Sequence, residues 1–408
     1  IIRKYSKAPI THNYMGRITQ FDHHKIGDDL DFASWDSYPI GFLEDRVPNR
    51  EDMHPRFTHQ GDPDFQAFHH DLYRGVGKGR WWVMEQQPGP VNWAPYNPAP
   101  LPGMVKLWSW EAFAHGAETV SYFRWRQAPV AQEQLHSGLR RPDDKASLVW
   151  SEIESLGKEL LEAPNIAPCK SRVALMFDYE SEWAWDIQPH GKGLSYFQLV
   201  FEYYVALRKL GLSIDIIRPD TIDLNQYQLI FVPGVMHMND AIKSSLIECD
   251  ATVVIGPRSG SRDKDFKIPE PLPPSLIQLD TVVEALESLR PNDKIALQNN
   301  GNIVNYREFL SGNGDVFLST KQGQTVAMRN ESLIYVGSWL DQSGLKYLFQ
   351  NLCMEQEITT IELPDALRIR DTRTERFWIN YDNKDHTVDG VIIKAISVLR
   401  QELPLNGT

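Results

Sequence analysis

A chain of 408 residues is long for one domain, and its length predicts two or three domains. Charged residues make up 24% of the sequence and hydrophobic residues 42%, which is typical of a globular protein with a sizeable core. The net charge of −12 argues against a nucleic-acid partner, because neutralising phosphates requires clustered Lys and Arg. No run of about 18 apolar residues is present, so the sequence predicts neither a transmembrane helix nor a membrane partner.

The cysteines and the first residues of the sequence indicate the cellular compartment of the protein. Cys169, Cys249 and Cys353 lie far apart and lack the spacing of a metal site. A sparse, odd number of cysteines predicts buried thiols in a reducing compartment, and therefore a cytoplasmic protein. Residues 1–4 have neither an initiator Met nor the apolar core of a signal peptide.

Residues 1–163 alternate short apolar runs with stretches of helical periodicity. The pattern predicts strands at 9–16, 30–39, 81–85 and 119–126, and helices at 65–76, 105–115 and 146–161. Alternation of this kind indicates a parallel α/β architecture. Only four strand–helix units are present, whereas a closed barrel has eight, so the segment is either an open sheet or half of a barrel.

The central stretch of this segment runs from Trp81 to Trp93 and reads WWVMEQQPGPVNW. It begins as a buried strand that ends at Glu85, and in parallel barrels such strand ends and the loops after them form the catalytic face. A carboxylate ringed by indoles is typical of a sugar site, because Trp stacks on sugar rings and a carboxylate can attack an anomeric carbon. Seven of the twelve Trp residues lie between positions 35 and 125, which favours a cleft. The alternative is an ordinary strand-end acid, solvated or paired with an arginine such as Arg124.

Four more candidate side chains lie at or just after predicted strand ends, namely Tyr38, Trp93, Glu133 and His136. Glu133 and His136 are three residues apart, so a helical turn would let both reach one ligand. A carboxylate and an imidazole can together hold two vicinal hydroxyls of a sugar. The alternative for this pair is a capping role within the loop.

A Pro-containing linker at 164–168 precedes a second strand–helix pattern, which predicts a doubly wound α/β domain similar in plan to flavodoxin. This domain is expected to extend through apolar runs at 302–304, 326–328 and 333–339 and a final helix at 344–353. From residue 363 onward, alternating runs around an Asp-Asn-Lys-Asp turn predict a small antiparallel β-domain.

Two other motifs are interpreted as structural. The turn at 256–260, GPRSG, follows a predicted strand, where a nucleophile or anion site could lie. It lacks both the Gly-x-Ser-x-Gly order and a strand-end Cys, which also argues against an amidotransferase. The stretch Asp22-His23-His24 is not expected to bind a metal, because adjacent His side chains point apart.

Several motifs in order resemble the β-galactosidases of glycoside hydrolase family 42. They are WDSYP at 35–39, MEQQPGPVNW at 84–93, FRWR at 123–126 and EQLHSG at 133–138. ALMFDYES at 174–181 and VIGPRSG at 254–260 resemble that family's trimerisation domain. The resemblance implies the C-terminal half of a (β/α)₈ barrel over 1–163 (about strands 5–8), a flavodoxin-like trimerisation domain over 164–362 and a small antiparallel β-domain over 363–408.

By motif position, the resemblance implies a retaining β-galactosidase in which Glu85 is the nucleophile and Tyr38, Trp93, Glu133 and His136 contact galactose. The family's acid/base Glu follows an Asn at the end of the fourth barrel strand, and no Asn-Glu occurs between Ile1 and Glu85. We therefore expect the sequence to be the C-terminal part of a longer enzyme and to be inactive alone. No cofactor is expected in this chain, although the family's cysteine-based zinc site, where one exists, would lie in the missing part.

The resemblance also implies a homotrimer and a β-galactoside as the substrate. Two alternative functions stay open at this point. An α-L-arabinopyranosidase of the same family would act on the same ring stereochemistry without the hydroxymethyl group. A non-catalytic sugar-binding or assembly subunit would use the second domain for oligomers and would not hydrolyse a sugar at all.

Overall fold

The computed structural model describes residues 1–47, 54–163, 166–167 and 171–403. The chain packs as two compact units, one of residues 1–170 with 363–408 and the other of residues 171–362. Cys249 and Cys353 are buried free thiols, as predicted, whereas Cys169 and most of the predicted linker lie outside the described residues. No helix in these described ranges is long and apolar enough to cross a membrane.

The first unit is built on four parallel strands that lie side by side in chain order. They are β1 (Asn13–Met15), β2 (Ala33–Ser37), β3 (Trp81–Gln86) and β4 (Thr119–Tyr122). The helices of this part of the chain are α1 (His23–Gly27), α2 (Pro39–Asp45), α3 (His54–Phe57), α4 (Phe65–Val76), α5 (Met104–Ala114) and α6 (Trp150–Glu162). The predicted α/β architecture with parallel strands is confirmed.

Apolar spacing, a proline and a capping side chain account for the positions of three of these helices. Helix α4 has the predicted bounds, because its apolar residues recur at helical spacing and are buried. Helix α2 was not predicted, although Pro39 at its first position has the φ angle that a helix start favours. Asp22 accepts hydrogen bonds from the backbone N–H groups of His24 and Lys25 and so caps α1.

No group of three His, Cys, Asp or Glu side chains in the described part of the chain could hold a metal ion.

The second unit contains a seven-stranded sheet in which β5 (Val173–Met176), β6 (Ile214–Ile217), β7 (Leu229–Val232) and β8 (Thr252–Ile255) are joined by β12 (Asp315–Ser319), β13 (Thr325–Asn330) and β14 (Leu333–Val336). The order of the strands is β12-β13-β14-β8-β7-β5-β6. Strands β14, β8, β7, β5 and β6 are parallel, and the order around β5 is that of a doubly wound sheet. The helices of this unit are α7 (Tyr179–Ile187), α8 (Tyr196–Lys209), α9 (Asp240–Glu248) and α10 (Gln342–Glu355).

After β8 the chain departs from the expected strand–helix pattern. A second, antiparallel sheet is formed by β9 (Thr281–Ser288), β10 (Ile295–Ala296), β11 (Asn302–Gly312) and β15 (Ser338–Leu340). The intervening strands β12, β13 and β14 return to the edge of the larger sheet. The apolar runs predicted after residue 300 are therefore strands, but β12 and β13 are antiparallel additions to the doubly wound core.

The C-terminal strands pack within the first unit. Strands β16 (Leu367–Asp371), β17 (Glu375–Asn380) and β20 (Ser397–Glu402) form an antiparallel sheet, beside a hairpin of β18 (His386–Val388) and β19 (Val391–Ile393). Phe377 and Ile379 share a hydrophobic core with Leu107 and Trp108 of α5. Arg368 of β16 forms a fully buried ion pair with Asp64.

Candidate active site

Glu85 lies on β3 beside Asp36, its partner in the neighbouring strand β2. The hydroxyl of Tyr38 donates a hydrogen bond to Oε2 of the half-buried Glu85 carboxylate. Asn13 Nδ2 makes a long contact of 3.5 Å to Oε1 and a hydrogen bond of 3.1 Å to Asp36. Glu85 has no ion pair with any described residue, since Arg124 pairs with Glu133 instead. The alternative in which Glu85 is neutralised by Arg124 is therefore wrong.

Tyr38 connects three of the other predicted residues. Its ring centroid lies 5.7 Å from that of Trp93 and 5.7 Å from that of His136, in both cases with the rings nearly perpendicular. Burial, followed by the hydrogen bond to Glu85, raises the pKa of Tyr38 well above its ordinary value. The phenol therefore keeps its proton and acts as a donor to the carboxylate. Four of the five predicted site residues are thus in one cluster.

Trp93 forms one wall of this cluster and is 40% exposed. Its indole packs directly over the backbone of α2, where a Cβ atom on Gly41 would lie 2.6 Å from the ring. The Phe42 ring centroid lies 6.0 Å away, and the Arg46 guanidinium lies 5.9 Å from the indole. Because these contacts fix the ring while leaving much of it accessible, Trp93 can offer an aromatic surface to a ligand.

His136 is 1% exposed and packs between Tyr38 and Phe123. Nδ1 lies 3.2 Å from the carbonyl oxygen of Ser137, whereas Nε2 is buried without a hydrogen-bond partner in the described structure. Burial, with a contribution from the positive charge of Arg124, lowers the pKa of His136. The ring is therefore neutral at pH 7, and if Nδ1 carries the proton, Nε2 can accept a hydrogen bond from a ligand hydroxyl.

Glu133 is placed differently from the other four. The backbone N–H of His136 donates to the carbonyl of Glu133 at 3.0 Å, so the predicted turn is present. The Glu133 carboxylate, however, pairs with Arg124, and 48% of its side chain is exposed. Arg124 in turn influences the pKa values of both Tyr38 and His136, so it lies close to the cluster.

The loops after β2, β3 and β4 are tied to one another. Gln87 accepts a hydrogen bond from the backbone N–H of Ile40 at 3.1 Å, which fixes the start of α2 against the loop after β3. Asn92 donates to the carbonyl of Gln132 at 3.2 Å, and the N–H of Ser137 donates to the carbonyl of Pro90 at 3.0 Å. These bonds hold the polar and aromatic side chains of three separate loops in one place.

Asn13 and Asp36 also belong to the site, although the sequence did not predict them. Asp36 is 5% exposed, and burial together with the nearby Glu85 raises the pKa of its carboxyl to about 8. Its position two residues before Tyr38 was the available signal. Its placement opposite Glu85, however, depends on an irregularity in strand register between Trp35 and Asp36.

Asp36→Asn is expected to alter the pH dependence of stability. Between its ordinary pKa of 3.8 and its folded value of about 8, Asp36 loses its proton on unfolding but keeps it in the folded chain. The free energy of unfolding therefore falls as pH rises through this range, and Asn removes that loss. The Tm difference, variant minus wild type, should increase from pH 5 to pH 8. An unchanged difference, matching that of the exposed control Asp29→Asn, would contradict the assignment.

Comparison with known proteins gives a consistent result along the chain. Residues 1–163 match the family model described as β-galactosidase, and residues 171–359 match that of the β-galactosidase trimerisation domain. The chain is 44% identical over 379 residues to a β-galactosidase of Thermus thermophilus, covering 91% of this chain and 58% of that protein. A β-galactosidase structure from the psychrophilic Marinomonas ef1 matches with a TM-score of 0.92 at 39% identity, covering 95% of this chain and 61% of that one. The chain thus spans less than two thirds of the length of either relative.

Proposed function

The chain belongs to glycoside hydrolase family 42, and from that membership we propose that it carries the nucleophile of a retaining β-galactosidase. The observation that supports this most strongly is the setting of Glu85. Its carboxylate stands at a strand end with one oxygen held by Tyr38 and without a cation partner among the described residues. A carboxylate positioned and left unneutralised in this way is suited to nucleophilic attack.

The proposal extends to the architecture. Strands β1 to β4 would be the C-terminal half of a (β/α)₈ barrel, because they are parallel and lie in chain order. Residues 164–362 would be a flavodoxin-like domain that forms a homotrimer, and residues 363–408 would be a small β-domain. The predicted cytoplasmic location stays a prediction.

In the proposed mechanism, Glu85 attacks the anomeric carbon of a terminal β-D-galactosyl residue as the glycosidic bond to the leaving oxygen breaks, which forms a galactosyl-enzyme. Water then hydrolyses this ester and releases galactose. Tyr38 donates to Oε2, which leaves Oε1 as the attacking oxygen. Trp93 stacks against the apolar face of the sugar ring. His136 accepts a hydrogen bond from one sugar hydroxyl through Nε2, and Glu133 accepts one from another.

A retaining mechanism needs a second carboxyl about 5–5.5 Å from the nucleophile, which protonates the leaving oxygen. Asp36 is nearly buried and hydrogen-bonded to Asn13, so we assign it a structural role. We therefore propose that the acid/base Glu lies outside the given residues and that the 408 residues alone lack activity. Losing general acid catalysis costs about 10²–10⁴-fold in rate, even before substrate positioning is considered.

The test is an assay of two proteins on 4-nitrophenyl β-D-galactoside. The protein from the complete reading frame should hydrolyse it, and the 408-residue chain should not. Absence of hydrolysis by the complete protein would contradict the proposed function, whereas full activity of the 408 residues would contradict the external acid/base. A parallel assay on the α-L-arabinopyranoside compares the two sugars directly.

Trp93→Ala is expected to lower kcat/KM for the galactoside at least about fivefold, because an aromatic contact of this kind contributes about 1 kcal/mol beyond its buried area. Trp93→Phe should retain most of the activity. The matched control is Trp125→Ala, which removes a more exposed indole that packs against Trp150. Equal losses in the Trp93 and Trp125 variants would argue against a sugar-stacking role.

A further inference from the structure

The turn after β8, which sequence analysis interpreted as structural, has an unusual conformation. Arg258 has a φ angle of +66°, which non-glycine residues seldom adopt. Gly260 has a φ angle of +64°, and a Cβ atom there would lie 2.0 Å from the carbonyl oxygen of Pro274. The turn is therefore folded tightly against the segment before β9, and this geometry directs its side chains toward the antiparallel sheet.

Between this turn and the antiparallel sheet is a cavity of about 510 Å³, within the size range of small-molecule sites. The buried part of its lining consists of the polar residues Arg258, Ser261, Tyr306 and Glu308 together with the apolar residues Pro273 and Val283. Its outer part carries large apolar side chains that are 44–64% exposed, namely Ile268, Leu272 and Leu286. The cavity thus combines a mainly polar floor with an apolar rim.

Two arginines line the cavity without a carboxylate partner. Arg258 is 4% exposed, stacks on Trp185 at 4.1 Å and donates to the backbone carbonyls of Gln188 and Pro189. Arg262 donates to Gln188 Oε1 and to a backbone carbonyl. Neither guanidinium forms an ion pair within residues 171–362, all of which the structure describes. Two positive charges that no ion pair neutralises therefore line the cavity, together with the carboxyl groups of Glu284 and Glu308.

The Glu308 carboxyl and the Ser261 hydroxyl lie beside these arginines and affect which ligand can bind there. Glu308 already accepts hydrogen bonds from the hydroxyls of Tyr306 and Tyr335 and from the backbone N–H of Arg258. Burial raises its pKa to about 7, so at neutral pH its carboxyl only partly offsets the arginine charges. Ser261 is 8% exposed, and its buried hydroxyl has no hydrogen-bond partner among the described residues. Such an unsatisfied buried hydroxyl is costly unless a ligand pairs with it.

We propose that this cavity binds a small monocarboxylate with an apolar body. The carboxylate would lie between Arg258, Arg262 and the Ser261 hydroxyl, and the apolar body would cover Leu272 and Leu286. A doubly charged phosphate fits less well, because Glu308 and Glu284 also line the cavity and would repel its second charge. The site lies entirely within residues 171–362 and does not depend on the galactosidase mechanism.

Calorimetric titration of the protein from the complete reading frame tests this proposal, with phenylacetate as the probe. Phenylacetate should bind saturably, whereas the neutral isostere phenylacetamide should bind at least about tenfold more weakly because it lacks the charge. Inorganic phosphate should bind more weakly than phenylacetate. Equal binding of acid and amide, tighter binding of phosphate, or no binding of phenylacetate would overturn the proposal.

Substitutions of single residues that line the cavity test whether phenylacetate binds there. Arg262→Gln should weaken phenylacetate binding about tenfold. It should leave folding intact because the side chain is partly exposed, and circular dichroism checks this. Ser261→Ala should weaken binding by a smaller factor without lowering stability, since its hydroxyl has no partner to lose. The control Arg307→Gln removes an arginine of β11, in the antiparallel sheet beside the cavity. This arginine pairs with Glu287. If Arg262→Gln and the control bind phenylacetate equally well, the proposal is wrong.

Discussion

Replacing Glu85 with Gln in the protein from the complete reading frame is expected to lower kcat on 4-nitrophenyl β-D-galactoside by at least about 10⁴-fold. The amide has nearly the shape of the carboxylate and can still accept the hydrogen bond from Tyr38. It cannot form the glycosyl ester, so the variant should bind galactose but not turn the substrate over. Steady-state kinetics measures the loss of turnover, and calorimetry measures sugar binding.

The control for this variant is Glu118→Gln, which removes an exposed carboxylate that pairs with Arg80. This control should keep wild-type kinetics. A Glu85→Ala variant should regain turnover with azide, because a small anion can attack from the vacated side and yield a galactosyl azide of inverted configuration. Activity of Glu85→Gln within tenfold of wild type would assign Glu85 a structural role.

The second large effect concerns stability. Arg368→Ala is expected to lower the free energy of unfolding by about 3–5 kcal/mol, because it removes the arginine that neutralises the buried carboxylate of Asp64. Nε and Nη2 of Arg368 each lie 2.6 Å from a different oxygen of Asp64, and both side chains are fully buried. Urea unfolding measures the loss.

The matched control is Arg56→Ala, which breaks a pair with Asp365 whose side chains are 42% and 55% exposed. Solvent screens such a pair, so the expected loss is below about 1 kcal/mol. Similar losses in the two variants would show that burial does not set the contribution of the Arg368 pair. Replacing both members, as Asp64→Asn with Arg368→Met, should recover part of the loss, because no unpaired charge remains.

Periodicity and strand ends made much of the first unit predictable. Helix α4 follows directly from the spacing of its buried apolar residues. Tyr38, Trp93 and His136 come together because parallel strands end at one edge of a sheet. The pairing of Glu133 with Arg124 was not predictable, because it depends on how a polar loop folds, and no periodicity constrains that.

In the second unit, one strand and the cavity beside it could not be predicted from the sequence. Strand β9 was missed because residues 284–286 are exposed in succession, so the strand has no alternation of buried and exposed positions. The function of the turn after β8 could not be judged without β9 and β11, which supply much of the facing wall of the cavity. A contact between segments this far apart in sequence leaves no local signal.

The central claim is that Glu85 forms a covalent bond to the sugar, and trapping that bond tests it most directly. A 2-deoxy-2-fluoro-β-galactosyl fluoride should label the protein from the complete reading frame, because fluorine slows hydrolysis of the intermediate by destabilising its oxocarbenium-like transition state. Peptide mass spectrometry should then find one sugar on the peptide that contains Glu85, and no label in Glu85→Gln. Stoichiometric labelling of a different carboxylate would contradict the assignment of Glu85 as the nucleophile.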